Sequence, residues 1–144
     1  MIMQDNKQNR MSVQEKEKKL ELIESYLQSY SSVLFAFIHG SFLEDPFPFR
    51  DIDVAVYFDE GLAENEYLDL CLTFSVMLSA LTHVPVDVHA LNNSKNSFCY
   101  EVIRGRLLFT RDEEKSFDFV ERTCMLYFDF QYLQNETLKD LLQK

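Results

Sequence analysis

Residues 38 to 58 read I-H-G-S-F-L-E-D-P-F-P-F-R-D-I-D-V-A-V-Y-F, an order that few folds accommodate. An apolar run stops at Gly40-Ser41, a loop broken by Pro46 and Pro48 follows, and Asp51-Ile52-Asp53 leads into a second apolar run. Proline fixes φ and lacks an N–H, so neither a regular helix nor a strand crosses the loop. The segment is therefore predicted as strand, turn, loop and strand, with its polar groups gathered at one end. Alternate residues of a strand share a face. Ile52, Val54, Val56 and Phe58 lie on one face, and Asp51, Asp53, Ala55 and Tyr57 on the other. The two carboxylates thus point the same way, their Cα atoms about 6.5–7 Å apart.

The rest of the chain supplies a frame for this segment. Residues 1 to 12 are polar and aperiodic and read as a flexible start. From Val13, Leu20, Ile23, Leu27 and Tyr30 recur at spacings of three and four, which predicts an amphipathic helix with a charged outer face, ended by Ser31 and Ser32. Residues 33 to 38 are almost wholly apolar and too few for a helix, hence a central strand covered on both faces. Residues 64 to 82 are apolar on most of their circumference. They predict a largely buried helix that packs under a neighbour or forms a subunit or partner interface, in a homo-oligomer or a hetero-oligomer.

Residues 84 to 91 alternate again, with Pro85, Asp87 and His89 on one side, and Pro85 places the strand start or a sheet edge there. A short helix follows over 98 to 104, ended by Gly105, then a short strand over 107 to 110. The last helical segment, 116 to 144, carries Phe117, Val120 and Cys124, and Asn135 is expected to bend or divide it. The alternation predicts an α+β fold in one domain, residues 1–144, with a small mixed sheet of about four strands flanked by helices.

Charge and cysteine usage exclude several classes of function. The 144 residues hold 14 Lys and Arg against 24 Asp and Glu, net −10, which disfavours non-specific binding to nucleic acid or an anionic membrane. No run approaches the length of a membrane span, and the N-terminus predicts neither export nor an anchor. Cys71, Cys99 and Cys124 are odd in number and widely spaced, as for reduced thiols of a cytoplasmic protein.

The chemistry rests on Asp51, Asp53 and Asp87, each on a strand face whose opposite face is apolar. If adjacent strands carry them, about 5 Å apart, three carboxylates converge at one sheet end. Oxygen ligands without His or Cys suit Mg²⁺ or Mn²⁺, and Mg²⁺ commonly completes its shell with water and substrate phosphates. Gly40 and Ser41 offer N–H groups and a hydroxyl to such phosphates. Each piece alone also has a bland reading, as a solvated strand end or an ordinary turn. His39 and His89 read either as cleft residues or as hydrogen-bonded structural histidines, and Arg50 as a surface cation or a partner of carboxylate or phosphate. There is no G-x-x-x-x-G-K or G-x-G-x-x-G.

At H-G-S-F-L-E-D-P-F-P-F-R-D-I-D-V-A-V the chain resembles the minimal nucleotidyltransferases (MNT) of the DNA polymerase beta superfamily. V-D-V-H-A-L is similar to the family's third-carboxylate strand, and C-Y-E-V-I-R-G-R-L-L-F-T-R-D to its helix, Gly and short strand. The resemblance implies the polymerase-beta-like nucleotidyltransferase fold. It also implies that Gly40 and Ser41 hold a nucleoside triphosphate, that Asp51 and Asp53 bind the catalytic Mg²⁺ ions, and that Asp87 completes the metal site and helps activate the incoming hydroxyl.

Stand-alone members of this size resemble the antitoxins of HEPN-MNT toxin-antitoxin pairs. That implies a HEPN ribonuclease toxin as partner, ATP as donor and a toxin tyrosine as AMP acceptor. A non-catalytic antitoxin that acts by occlusion and a small-molecule nucleotidyltransferase are the alternatives. The chain departs from the family's pattern in two places. Nine residues rather than ten separate Ser41 from Asp51, and Glu44 and Asp45 stand where an Arg and a Gly are frequent.

Overall fold

The structure, a computed structural model, describes residues 11–44 and 48–143. Residues 1–10 of the expected flexible start, and Asp45 and Pro46 of the loop, lie outside the described residues. The elements are α1 (Val13–Gln28), β1 (Val33–His39), β2 (Ile52–Phe58), α2 (Glu64–Thr82), β3 (Val86–Ala90), α3 (Asn96–Ile103), β4 (Arg106–Thr110) and α4 (Glu113–Leu142), with a 3-10 turn at Ser41–Leu43. The order of helices and strands is the one predicted.

The strands form one mixed sheet in the order β3-β2-β1-β4. β1 pairs antiparallel with β2 and with β4, while β2 pairs parallel with β3 through the crossover helix α2. β1 is therefore central, as its uninterrupted apolar run requires. β3 is an edge, which suits Pro85, whose carbonyl accepts from Ile52 N–H at 2.9 Å.

Each sheet face has its own core. Leu20, Ile23 and Leu27 of α1 and Tyr67, Cys71, Phe74 and Leu78 of α2 pack on Ile52, Val54, Val56 and Phe58. On the opposite face Phe35, Phe37 and Ala55 meet Cys99 and Val102 of α3 and Phe119 and Val120 of α4. This second layer leaves the sheet end that carries the acids uncovered by a long helix.

α1 begins with a reciprocal cap. Ser12 accepts from Glu15 N–H at 3.2 Å, and the Glu15 carboxylate accepts from Ser12 N–H at 3.2 Å. These bonds hold the Glu15 carboxyl below its usual range.

Two helices depart from their expected burial. α2 buries one stripe only, and Leu68, Leu72 and Val76 are 50–68% exposed. The helix lies on a single face of the sheet, so its outer apolar residues have no neighbour to pack under. α4 runs unbroken through Asn135 for 30 residues, since a mid-helix Asn costs only about 0.7 kcal/mol relative to Ala. The stripe that α4 turns inward is Ser116, Phe119, Val120 and Thr123, not one centred on Phe117, which is 67% exposed. Cys71 and Cys99 are buried thiols and Cys124 is half-buried, all three free.

Candidate active site

The strand register brings the candidate residues together. His39 of β1 stands opposite Asp53 of β2, and Asp53 stands opposite Asp87 of β3. Paired residues on neighbouring strands share a face, so His39, Asp53 and Asp87 form one row across three strands. Asp51 lies two residues before Asp53, on the same face. The row sits at the end of the sheet where β1 terminates and β2 and β3 begin.

Gly40 closes that end. Its φ of 85° and ψ of −163° lie in a region essentially reserved for glycine. A Cβ on Gly40 would come within 2.5 Å of Asp53 Oδ2. The turn that carries Ser41 is therefore packed directly against the acid. Gly105, at the α3–β4 turn, is equally constrained, because a Cβ there would run into the Ile38 carbonyl and crowd His39. The sequence marked Gly105 as a helix stop; the structure adds that it lets β4 approach the end of β1.

The electrostatics follow from this crowding. Burial raises the Asp53 carboxyl to about 6, and the charges of Asp51 and Asp87 push it the same way. Asp87 Oδ2 lies 2.9 Å from His89 Nε2. His39 is held neutral: burial lowers its pKa, with His89 adding to the effect. Its Nε2 is buried without a hydrogen-bond partner among the described residues. Phe98 of α3 stands edge-on to both His39 and His89, at centroid distances of 5.6 and 5.9 Å. His89, half-exposed and bonded to Asp87, fits either of its sequence readings, and His39 Nε2 is wedged without a hydrogen-bond partner among the described residues.

Among the described residues no three His, Cys, Asp or Glu side chains are gathered closely enough to hold a metal ion. Asp53 and Asp87 thus stand side by side in register, with Asp51 two residues before Asp53, but the three carboxylates are not gathered at one point, and Asp87 directs an oxygen to His89. The donor set nevertheless fits a hard divalent cation. It consists of carboxylate oxygens, and the raised Asp53 carboxyl registers a concentration of negative charge that a cation would relieve.

The helix was expected to carry its charges on an outer face, yet Lys16 is 6% exposed. Its Nζ donates to the Phe42 carbonyl at 2.8 Å and lies 5.0 and 5.2 Å from the Phe42 and Phe49 ring centroids. It clamps the turn that follows Gly40-Ser41. The signal was present in the sequence, since position 16 precedes Leu20 by four residues and extends the buried stripe. Lys16→Met keeps the apolar stem and removes the charged donor. It is expected to destabilise the protein by about 1–2 kcal/mol and to weaken nucleotide binding, measured by thermal melting and by titration with a non-hydrolysable ATP analogue. Arg50 is exposed.

A mixed four-stranded sheet with an acidic row against a glycine turn at one end is the arrangement expected of a nucleotidyltransferase. The family described as "Polymerase beta, Nucleotidyltransferase" matches residues 21–114, and the chain belongs to it. No curated protein sequence matches the chain.

Among solved structures, one of tri-AMPylated Shewanella oneidensis HEPN toxin in complex with MNT antitoxin contains a chain that matches with a TM-score of 0.65 and 17% identity, over 88% of this chain and 98% of that one. A structure of the toxin-antitoxin MntA-HepT matches with a TM-score of 0.64 and 16% identity, over 88% and 98%. A structure of the toxin-antitoxin with AMP-PNP matches with a TM-score of 0.63 and 17% identity, over the same shares. At these identities the likeness is one of fold, and it extends beyond the family match into α4. Among the described residues no helix is long and apolar enough to cross a membrane.

Proposed function

We propose that the chain is an antitoxin that transfers AMP from ATP to a tyrosine of a cognate HEPN-type toxin in the cytoplasm. The observation that carries this reading is the contact between Gly40 and Asp53, which joins a phosphate-side turn to the acidic row. The AMPylated toxin and the AMP-PNP complex described for structures of the same fold support the donor and the acceptor.

In this reading Gly40 and Ser41 hold the triphosphate, and Asp51, Asp53 and Asp87 are the ligands for Mg²⁺ or Mn²⁺, Asp87 leaving His89 to join them. The ion would supply charge neutralisation at the phosphate oxygens. The chain's own work is placement. Its turn and its acidic row fix the α-phosphorus so that the tyrosine oxygen attacks in line, the bond to the bridging oxygen of the β-phosphate breaks and pyrophosphate leaves, while the phenolic proton passes to the Asp87 carboxylate and from there to water. Neutral His39 closes the row beside Asp53 without adding charge.

The test uses purified chain, Mg²⁺ and the HEPN protein encoded beside it. Label from ATP carrying the isotope on the α-phosphate should appear on a toxin tyrosine, and label on the γ-phosphate should not. A stable complex that takes up neither label would mean that the chain neutralises by occlusion. The exposed apolar stripe of α2 favours that second reading, because it offers a docking area on the side of the sheet opposite the acids.

A further inference from the structure

We propose that the overhanging end of α4 is a docking face for a basic amphipathic helix of another protein, and not for a second copy of this chain. The partner's identity rests on the reading above, in which it is the HEPN-type toxin. The inward stripe of α4 runs Ser116, Phe119, Thr123, Leu126, Phe130 and Leu133, at alternating spacings of three and four. Its first half is occupied, since Ser116 and Thr123 are buried and Phe119 packs on the sheet.

The ring of Tyr127 stacks on Tyr100 of α3 at 3.6 Å, and Phe128 stands edge-on to the same ring at 6.2 Å; these are the last ring contacts of the helix with the body of the molecule among the described residues. From 129 to 142 every hydrogen bond and ion pair found among the described residues stays inside the helix. The same stripe continues over this stretch of about 20 Å through Phe130, Leu133 and Thr137, with Leu141 on its flank, and Phe130, Leu133 and Leu141 are 60–63% exposed. An isolated helix of this length is marginal in water, so the continuation calls for a partner surface.

The spacing sets the partner's form. A helix whose backbone is internally satisfied offers no strand edge, and apolar knobs at three and four residues are complemented by another helix. Charge sets its composition. Residues 129–142 carry Asp129, Glu136 and Asp140 against Lys139, which already lies 3.6 Å from Glu136. Asp129 and Glu136 precede stripe positions Phe130 and Thr137 and so line one edge of the stripe. In an antiparallel self-pair this edge would face its own copy, acid against acid. In a parallel pair it would face Gln134 and Leu141. A chain of net −10 also repels both its own copy and an anionic lipid surface. Lys and Arg along one flank of a foreign helix satisfy the edge in either direction.

The experiment compares wild type with Leu133→Glu/Leu141→Glu and Asp129→Lys/Glu136→Lys, all full-length, against the co-produced HEPN protein. These residues are exposed or, for Glu136, half-buried with no partner beyond its own helix, so the fold is expected to survive, with circular dichroism and melting as controls. The leucine pair should weaken the complex by about tenfold or more. The charge reversal should weaken it too and should reverse its dependence on salt, so that added salt strengthens the variant's complex and weakens the wild type's, a change that a merely structural effect would not produce.

A wild-type complex that the leucine variant matches in affinity overturns this inference and leaves the proposed pairing intact. Failure of the wild type itself to bind overturns both. A homodimer in sedimentation that the leucine variant dissolves, or co-sedimentation of wild type with phosphatidylglycerol vesicles, would assign the face to a different occupant and likewise overturn it.

Discussion

Substituting Asn for Asp53 is expected to abolish AMP transfer while making the metal-free protein melt higher. The two effects have one origin. Asp53 lies half-buried between Asp51 and Asp87, and its carboxyl is raised from 3.8 to about 6. At neutral pH it is nevertheless ionised, at a cost in stability that the folded chain carries so long as no cation balances it.

Asparagine keeps the shape and removes the charge. The metal-free protein should therefore gain about 1–2 kcal/mol after allowance for solvent screening, or about 3–6 °C in melting temperature. Transfer should fall by about a thousandfold or more, because an amide oxygen is a poor substitute for a carboxylate where phosphate charge must be balanced. An unchanged rate would show that Asp53 does not take part.

The pH dependence has a definite sign. A carboxyl whose folded pKa exceeds its unfolded pKa favours the folded state while protonated. That contribution is whole below 3.8 and is lost as the pH rises through about 6. Wild-type protein in chelator should lose this increment of stability across that window, and Asp53→Asn should not. Melting curves at pH 4, 5, 6 and 7 decide it.

Gly40→Ala is expected to be nearly as damaging by a different route. The backbone at φ 85° and ψ −163° excludes side chains, and holding Ala there costs about 1–3 kcal/mol. The new methyl would also lie 2.5 Å from Asp53 Oδ2, so either the turn or the acid must move. A displacement of this order in a catalytic group lowers rate by about a hundredfold. Gly61→Ala is the control, since its Cβ would meet only Asp59 Oδ1 at an ordinary 3.6 Å. If Gly40→Ala retains full transfer, the turn and the acid are not coupled.

The strands and the acidic row were legible because period-two alternation is a direct record of which face is wet. Ile52, Val54, Val56 and Phe58 are all buried on one side, and Asp53 lies on the other, as the pattern required. Register was not legible. Nothing local in V-D-V-H-A-L states that Asp87 will stand opposite Asp53 rather than two residues away, because parallel pairing is settled by how α2 seats on the sheet.

The bond from His89 to Asp87 escaped for a related reason: residues two apart on a strand share a face, but whether they touch depends on rotamers. Lys16 was missed because its charge was given more weight than its place in the stripe. The outer stripe of α2 shows the converse error, since apolar composition measures the capacity to be buried and not the presence of something that buries it.

The mixed pairing of β2 bears on the order in which the molecule can assemble. β1 and β2 are neighbours in sequence and antiparallel, so their pairing closes only the loop between them. β3 reaches the other side of β2 only after α2 has formed and crossed back, and such non-local pairing is slow. Asp53 therefore stands beside His39 before Asp87 arrives. If the acidic row binds a divalent cation as proposed, a refolding chain should acquire that affinity last, after most of its strand structure, and a half-folded copy should be inert toward nucleotide.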